Sequence, residues 1–320
     1  MKRAGLLIFR VVVLAAGMVV VGALYYTHRD YGVLFQERRG SLTGVEVVQR
    51  GTDSLGERSW ITLRSTSGLE VACGARCPAP GRPGRRYPAV IVLGGKATGK
   101  DAADYALGVK EVVVVAVDYP YEARPSYTVA TFLRDVPALR TALFEMFPSV
   151  MLVMDYLRTR PDVDTSRIVM LGYSFGAPFV PCVAAHERRF AAAAMVYGGG
   201  DLRSLIAHNV GRYQGEVVSA SAGMLAGFLL GPVEPMKYAG KISPIPLVMI
   251  NGTEDEQIPR ENAERFFAAA GEPKVLRWIE SRHVHPRNPE LTRTILSTLS
   301  TELRRLGVLP DPPAPRHFVR

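Results

Sequence analysis

The chain has 320 residues, 48% of them apolar, a formal net charge of +9 and three cysteines, enough for one large domain or two small ones around a sizeable core. The basic excess is mostly arginine, scattered beside proline or glycine (Arg82, Arg85, Arg86, Arg160, Arg260) and not clustered with aromatics, which argues against a nucleic-acid partner and for a generally basic surface. Three cysteines make no disulfide framework and no paired Cys/His spacing suggests zinc, so no metal and no other cofactor is expected.

The N-terminus opens with Lys2, Arg3 and Arg10 and continues as an unbroken apolar run, Val11–Tyr26. Counted from Gly5, with Arg10 snorkelling to the headgroups, it is long enough to span a bilayer core. Val21-Gly22-Ala23 also satisfies the small-residue rule for signal peptidase. Residues 1–26 are therefore expected to be a signal anchor, or a signal peptide cleaved near Ala23. The basic flank stays inside and the rest lies on the outer face of the cell envelope or is secreted. Residues 27–58 are polar and mixed and read as a linker.

Trp60–Ser65 and Leu69–Cys73 partly alternate about a Thr-Ser-Gly turn and read as an antiparallel pair. Cys73 and Cys77 sit in one short loop-like segment, either bridged in an exported protein or free. After a Pro/Gly/Arg-rich loop the pattern changes. Ala89–Leu93, Val112–Val117, Ile168–Leu171, Ala191–Tyr197, Leu247–Ile250 and Val275–Ile279 are short, nearly continuous apolar runs, the mark of parallel strands covered on both faces. Helical periodicity lies between and after them, at Asp135–Arg160 with Pro148 as a kink or break, at Phe179–Glu187, Glu261–Ala270 and Pro289–Leu306. The alternation predicts an α/β fold, a doubly wound, mostly parallel sheet over residues 59–308 with an N-terminal antiparallel strand pair. Residues 309–320, with four prolines after Leu309, read as a tail.

Ligands of open α/β sheets bind beyond the carboxyl ends of the strands. There the sequence places Gly94-Gly95-Lys96, Asp118-Tyr119-Pro120, Gly172-Tyr173-Ser174-Phe175-Gly176, Asp201, Asp255, and His283 with His285. A strand, Gly-x-Ser-x-Gly, then a helix is a nucleophile elbow. The glycines permit a strained turn and close packing, and the turn lifts Ser174 Oγ to a helix N-terminus where the amide of Phe175 can meet an oxyanion. Serine needs a base and an orienting acid. The order Ser, Asp, His supplies them: Asp255 with Asp201 as its rival, and His283, nearer the strand end, with His285 as the alternative. A second oxyanion donor should come from Gly95 or Lys96, and Tyr119 and Tyr173 are candidates for the pocket wall.

On YPAVIVLGG, AVDYP, RPDVDTSRIVMLGYSFGAP, PLVMINGTEDEQIP and the late histidine before a final helix, residues 60–306 resemble the α/β-hydrolase superfamily, most of all its dienelactone-hydrolase and prolyl-oligopeptidase-like esterases. The resemblance implies Ser174 as nucleophile, Asp255 as acid and His283 as base. Two departures stand out: the histidine of the family's HGG loop is Leu93 here, and the glycine before the catalytic histidine is Arg282. Residues 202–240 fall where such enzymes insert a cap, and the apolar, small-residue run Val217–Leu230 suits an acyl pocket, a membrane contact or a packed helix. The expected activity is hydrolysis of a small-molecule or lipid-like carboxylic ester through an acyl-enzyme. Peptidase, thioesterase, acyltransferase and a non-enzymatic binding protein are the alternatives.

Overall fold

The computed structural model describes residues 2–78, 84–96, 98–105, 111–121 and 129–310. Nine strands form one sheet: β1 Leu42–Asp53, β2 Gly56–Ser65, β3 Glu70–Cys77, β4 Tyr87–Leu93, β5 Val113–Val117, β6 Val163–Tyr173, β7 Ala192–Val196, β8 Leu247–Gly252 and β9 Lys274–Ile279. Their order is β1-β2-β3-β5-β4-β6-β7-β8-β9. The first three join antiparallel, β3 meets β5 antiparallel, and β5 through β9 are parallel. The helices are α1 Lys2–His28, α2 Gly32–Arg39, α3 Val129–Thr159, α4 Phe179–His186, α5 Leu202–Gly211, α6 Glu216–Leu229, α7 Pro235–Tyr238, α8 Arg260–Ala269 and α9 Pro289–Arg305.

Every residue of β5 and β7 is buried, as a sheet covered on both faces requires. One core cluster joins the sheet to α3, α4 and α8, and the other joins its opposite face to α9. The chain leaves β4 toward β5 on one side and comes back to β6 on the other. The gap between the carboxyl ends of β4 and β6 is therefore the topological switch point where ligands bind in such sheets.

Two expectations change and two open ones are decided. Residues 27–58 are not a linker: α1 runs on to His28, α2 packs Phe35 against Phe147 with ring centroids 4.8 Å apart, and β1 pairs with β2. The antiparallel pair is thus a three-stranded meander. β1 is an edge strand whose Val45, Val47 and Val48 are exposed, so no alternation of burial marks it in the sequence. Cys73 and Cys77 are free and both lie on β3, where four residues of extended chain separate them by about 13 Å. A disulfide tolerates about 7 Å between α-carbons, so the two cannot bridge. Pro148 does not end its helix, since α3 carries both Pro137 and Pro148 in its 31 residues. Leu309 is no part of a tail: it is buried, and its amide donates to the Leu303 carbonyl at 3.2 Å. Residues 311–320 lie outside the described residues.

Candidate active site

Ser174 follows β6 directly in a 3-10 turn, Ser174–Gly176, that leads into α4. Its φ is +49°, a left-handed backbone that a residue with a Cβ adopts at a cost of about 1–3 kcal/mol. The strain falls on the serine itself and not on the flanking glycines, neither of which has positive φ. The glycines answer a different need. A Cβ on Gly176 would sit 2.2 Å from the Leu93 carbonyl oxygen, and one on Gly172 would sit 2.5 Å from the Gly176 carbonyl oxygen. Backbone cannot yield to such contacts. The two glycines let the turn lie against the end of β4, and that closeness brings Ser174 beside the Gly94–Lys96 loop.

Ser174 Oγ is 2.7 Å from His283 Nε2, although 109 residues separate them in the chain. His283 Nδ1 is 2.8 Å from Asp255 Oδ2 and 2.9 Å from Oδ1. A carboxylate only accepts, so Nδ1 carries the proton and Nε2 is left to accept from the serine. Asp255 is held from behind as well: its Oδ1 accepts from the amides of Gln257 at 2.8 Å and Ile258 at 3.0 Å. The side chains of His283 and Asp255 are 6% and 1% exposed, so water competes little for this pair.

The rivals stand elsewhere. His285 lines the same pocket but accepts from the Arg287 amide at 3.1 Å and makes no bond to Ser174. Asp201 caps α5 by accepting from the Ser204 amide and pairs with Arg265 at 3.1 Å. Gly95, Lys96 and Tyr173 line the pocket with Ser174. Tyr119 does not, which corrects its place on the pocket wall. Its hydroxyl donates to the Gly94 carbonyl, and its ring meets that of Phe175 edge-on at 5.1 Å. One half-buried tyrosine thus braces both segments expected to supply oxyanion donors.

Residues 202–240 are helical, as α5, α6 and α7, yet none of them lines the pocket. They flank the acid loop instead: His208 Nε2 donates to the Glu256 carbonyl at 2.9 Å and Asn209 Nδ2 to that of Gln257 at 2.8 Å. This segment is a buttress and not a lid over Ser174.

Sequence reasoning missed three supporting groups. Tyr197, buried with φ +54°, stacks edge-on against the His283 ring at 5.5 Å, and its hydroxyl bonds Ser281. Glu256 pairs with Arg282 at 3.2 Å, and its own backbone amide holds its carboxyl below the usual range. That pair gives the arginine at 282 a partner. Arg282 has no positive φ to require a glycine, and its side chain, 75% exposed, points away from the relay. The only sequence signal was adjacency: Glu256 follows Asp255, and Ser281 precedes Arg282.

A model of the prolyl oligopeptidase family matches residues 145–278, which hold Ser174 and Asp255. The uncharacterized protein YfhR of Salmonella typhimurium is 30% identical over 127 residues, 38% of this chain, and the match spans 41% of that relative's length. Among solved structures, acetyl xylan esterase 1 from Thermoanaerobacterium sp. JW/SL YS485 superposes with a TM-score of 0.62 at 16% identity, over 84% of this chain and 92% of that one. The acylaminoacyl peptidase of Pyrococcus horikoshii gives 0.55 at 16% identity, over 87% of this chain and 44% of that one. On its sheet topology and these likenesses, the chain has the α/β-hydrolase fold, and its residues 145–278 are similar to the prolyl oligopeptidase family.

Proposed function

We propose that this protein is a serine hydrolase that cleaves carboxylic esters through Ser174, His283 and Asp255, held at a membrane by α1. The observation that carries the reading is the unbroken relay of 2.7 Å and 2.8 Å contacts from hydroxyl to imidazole to carboxylate. Ser174 Oγ attacks the ester carbonyl while His283 Nε2 takes its proton. The oxyanion draws on the Phe175 amide and on the Gly95–Lys96 loop, both braced by Tyr119. Collapse expels the alcohol, which leaves with the proton from Nε2, and an acyl-serine remains. Water then attacks with the same imidazole as base and restores the hydroxyl.

The test is labelling of the full chain with a fluorophosphonate, read by intact mass. One adduct is expected, absent from Ser174→Ala. A folded protein that takes up no adduct, or an adduct that survives the substitution, defeats the reading. The family-model match and the peptidase likeness favour a second reading, amide cleavage by the same relay. Matched aryl esters and anilides separate the two, with ester turnover expected to be faster by a hundredfold or more.

The membrane reading rests on the surface of α1. Leu14, Met18, Val19, Val21 and Leu24 are exposed and apolar, and its 27 residues extend about 40 Å. An aromatic and basic collar surrounds its end: Tyr26 packs on Phe228 of α6 at 5.4 Å, and Arg29 and Arg140 lie over Tyr31 and Tyr26 at 4.7 Å and 5.3 Å. Such collars sit at the headgroup level. Val217, Val218 and Met224 of α6 are likewise apolar and exposed. The full chain should therefore stay in the membrane pellet at alkaline pH and high salt and be released by detergent. Release by carbonate alone would defeat it.

A further inference from the structure

Between β4 and β5 the described residues carry a single 3-10 turn, Gly99–Tyr105. That turn and α9 both flank the same face of the sheet beside Ser174. A groove of about 290 Å³ runs between them, with Ser174 and His283 at one end and Leu309 at the other. Its floor is the sheet face of Val90, Val92, Val112, Val114 and Leu171. Its wall is one stripe of α9, where Leu296, Leu299, Ser300 and Leu303 recur three and four residues apart. Among its lining residues the one charged side chain is Lys96, beside Gly95 and Ser174. Dry apolar cavities of about half this volume are known to hold benzene.

We propose that this groove takes the acyl chain of the substrate, so that the preferred esters are those of unbranched aliphatic acids of about eight to twelve carbons. The proposal rests on Ser174 being the nucleophile. Two rulers set the length. Val90 pairs with Val169, and Ser174 stands five residues further along β6, about 16 Å of strand. From Thr292 to Leu303, α9 advances eleven residues, again about 16 Å. An extended alkyl chain gains about 1.25 Å per carbon from its bond lengths and angles, so about twelve carbons reach the far end. The acyl carbonyl on Ser174 sits at the mouth, and the chain continues inward over valine and leucine. Burying each methylene should raise kcat/KM about fourfold until the groove is full, from the ~0.8 kcal/mol that one buried CH2 contributes.

The experiment uses the full chain and p-nitrophenyl esters from acetate to hexadecanoate. The expected optimum is near decanoate, with hexadecanoate slower. Ser300→Trp narrows the groove midway, and Leu296→Trp, half-buried on the same stripe, repeats the test should the first variant fold poorly. Either is expected to lower the decanoate-to-acetate ratio of kcat/KM at least tenfold. A ratio unchanged in a folded variant, or a wild type that prefers acetate, overturns the proposal while leaving the hydrolase reading intact. Decanoate binding to Ser174→Ala supplies a readout that needs no turnover. Binding lost in Ser174→Ala/Ser300→Trp supports the groove even if fluorophosphonate labelling fails. No binding to Ser174→Ala overturns it.

Discussion

Replacing His283 by alanine should lower kcat about a million-fold, and adding Ser174→Ala should lower it no further. On the proposed mechanism the two groups act as one device: the hydroxyl is no nucleophile until Nε2, 2.7 Å away, takes its proton, and without the hydroxyl no acyl-enzyme forms for the imidazole to resolve. Groups that act as a unit lose nearly everything with the first removal, and the residual rate belongs to the oxyanion donors and binding. His285→Ala supplies the contrast. Its ring lines the same pocket, two residues on, but it contacts the Arg287 amide and not the serine, so its loss should change kcat by less than tenfold. Steady-state kinetics on an aryl ester checks all four proteins. A His285 variant as damaged as the His283 variant would mean that the base has been misassigned.

Asp255→Asn should cost about ten-thousand-fold in kcat with little change in KM. The reason lies behind the acid. Asp255 Oδ1 accepts from the amides of Gln257 and Ile258, so an asparagine there must turn its carbonyl oxygen toward them and its NH2 toward His283. Facing a donor, Nδ1 gives up its proton and the ring proton moves to Nε2. That nitrogen then meets Ser174 as a donor and cannot act as its base. The volume of the site hardly changes, so substrate should still bind. Asp201→Asn, remote from the imidazole and tied to Arg265, should keep kcat within a few-fold. A loss under tenfold in Asp255→Asn, with a large one in Asp201→Asn, would exchange the two roles.

How much of this was legible before folding depends on how local each feature is. β5 and β7 were plain because strands buried on both faces read as continuous valine or alanine. β1 was missed because an edge strand with exposed valines has no burial pattern to print on the sequence. The elbow was legible as strand, glycine, serine, glycine, helix. The purpose of its glycines was half-read: they answer to the Leu93 and Gly176 carbonyls, while the strained backbone belongs to Ser174. Tyr119 looked like a pocket residue from its strand-end position, but its side chain turns under the Gly94 loop.

The fold class and the residue types at the strand ends were legible in the sequence alone. Both follow from periodicity and residue type over a few neighbouring positions, which any local reading can reach. Only the tertiary structure decided which acid and which histidine meet Ser174, that the helical insertion buttresses the acid loop instead of roofing the pocket, and that a groove opens between the Gly99–Tyr105 turn and α9. Each of these is a distance between side chains far apart in the chain, set by strand order and by how closely glycine lets two strand ends approach. No local pattern encodes such a distance.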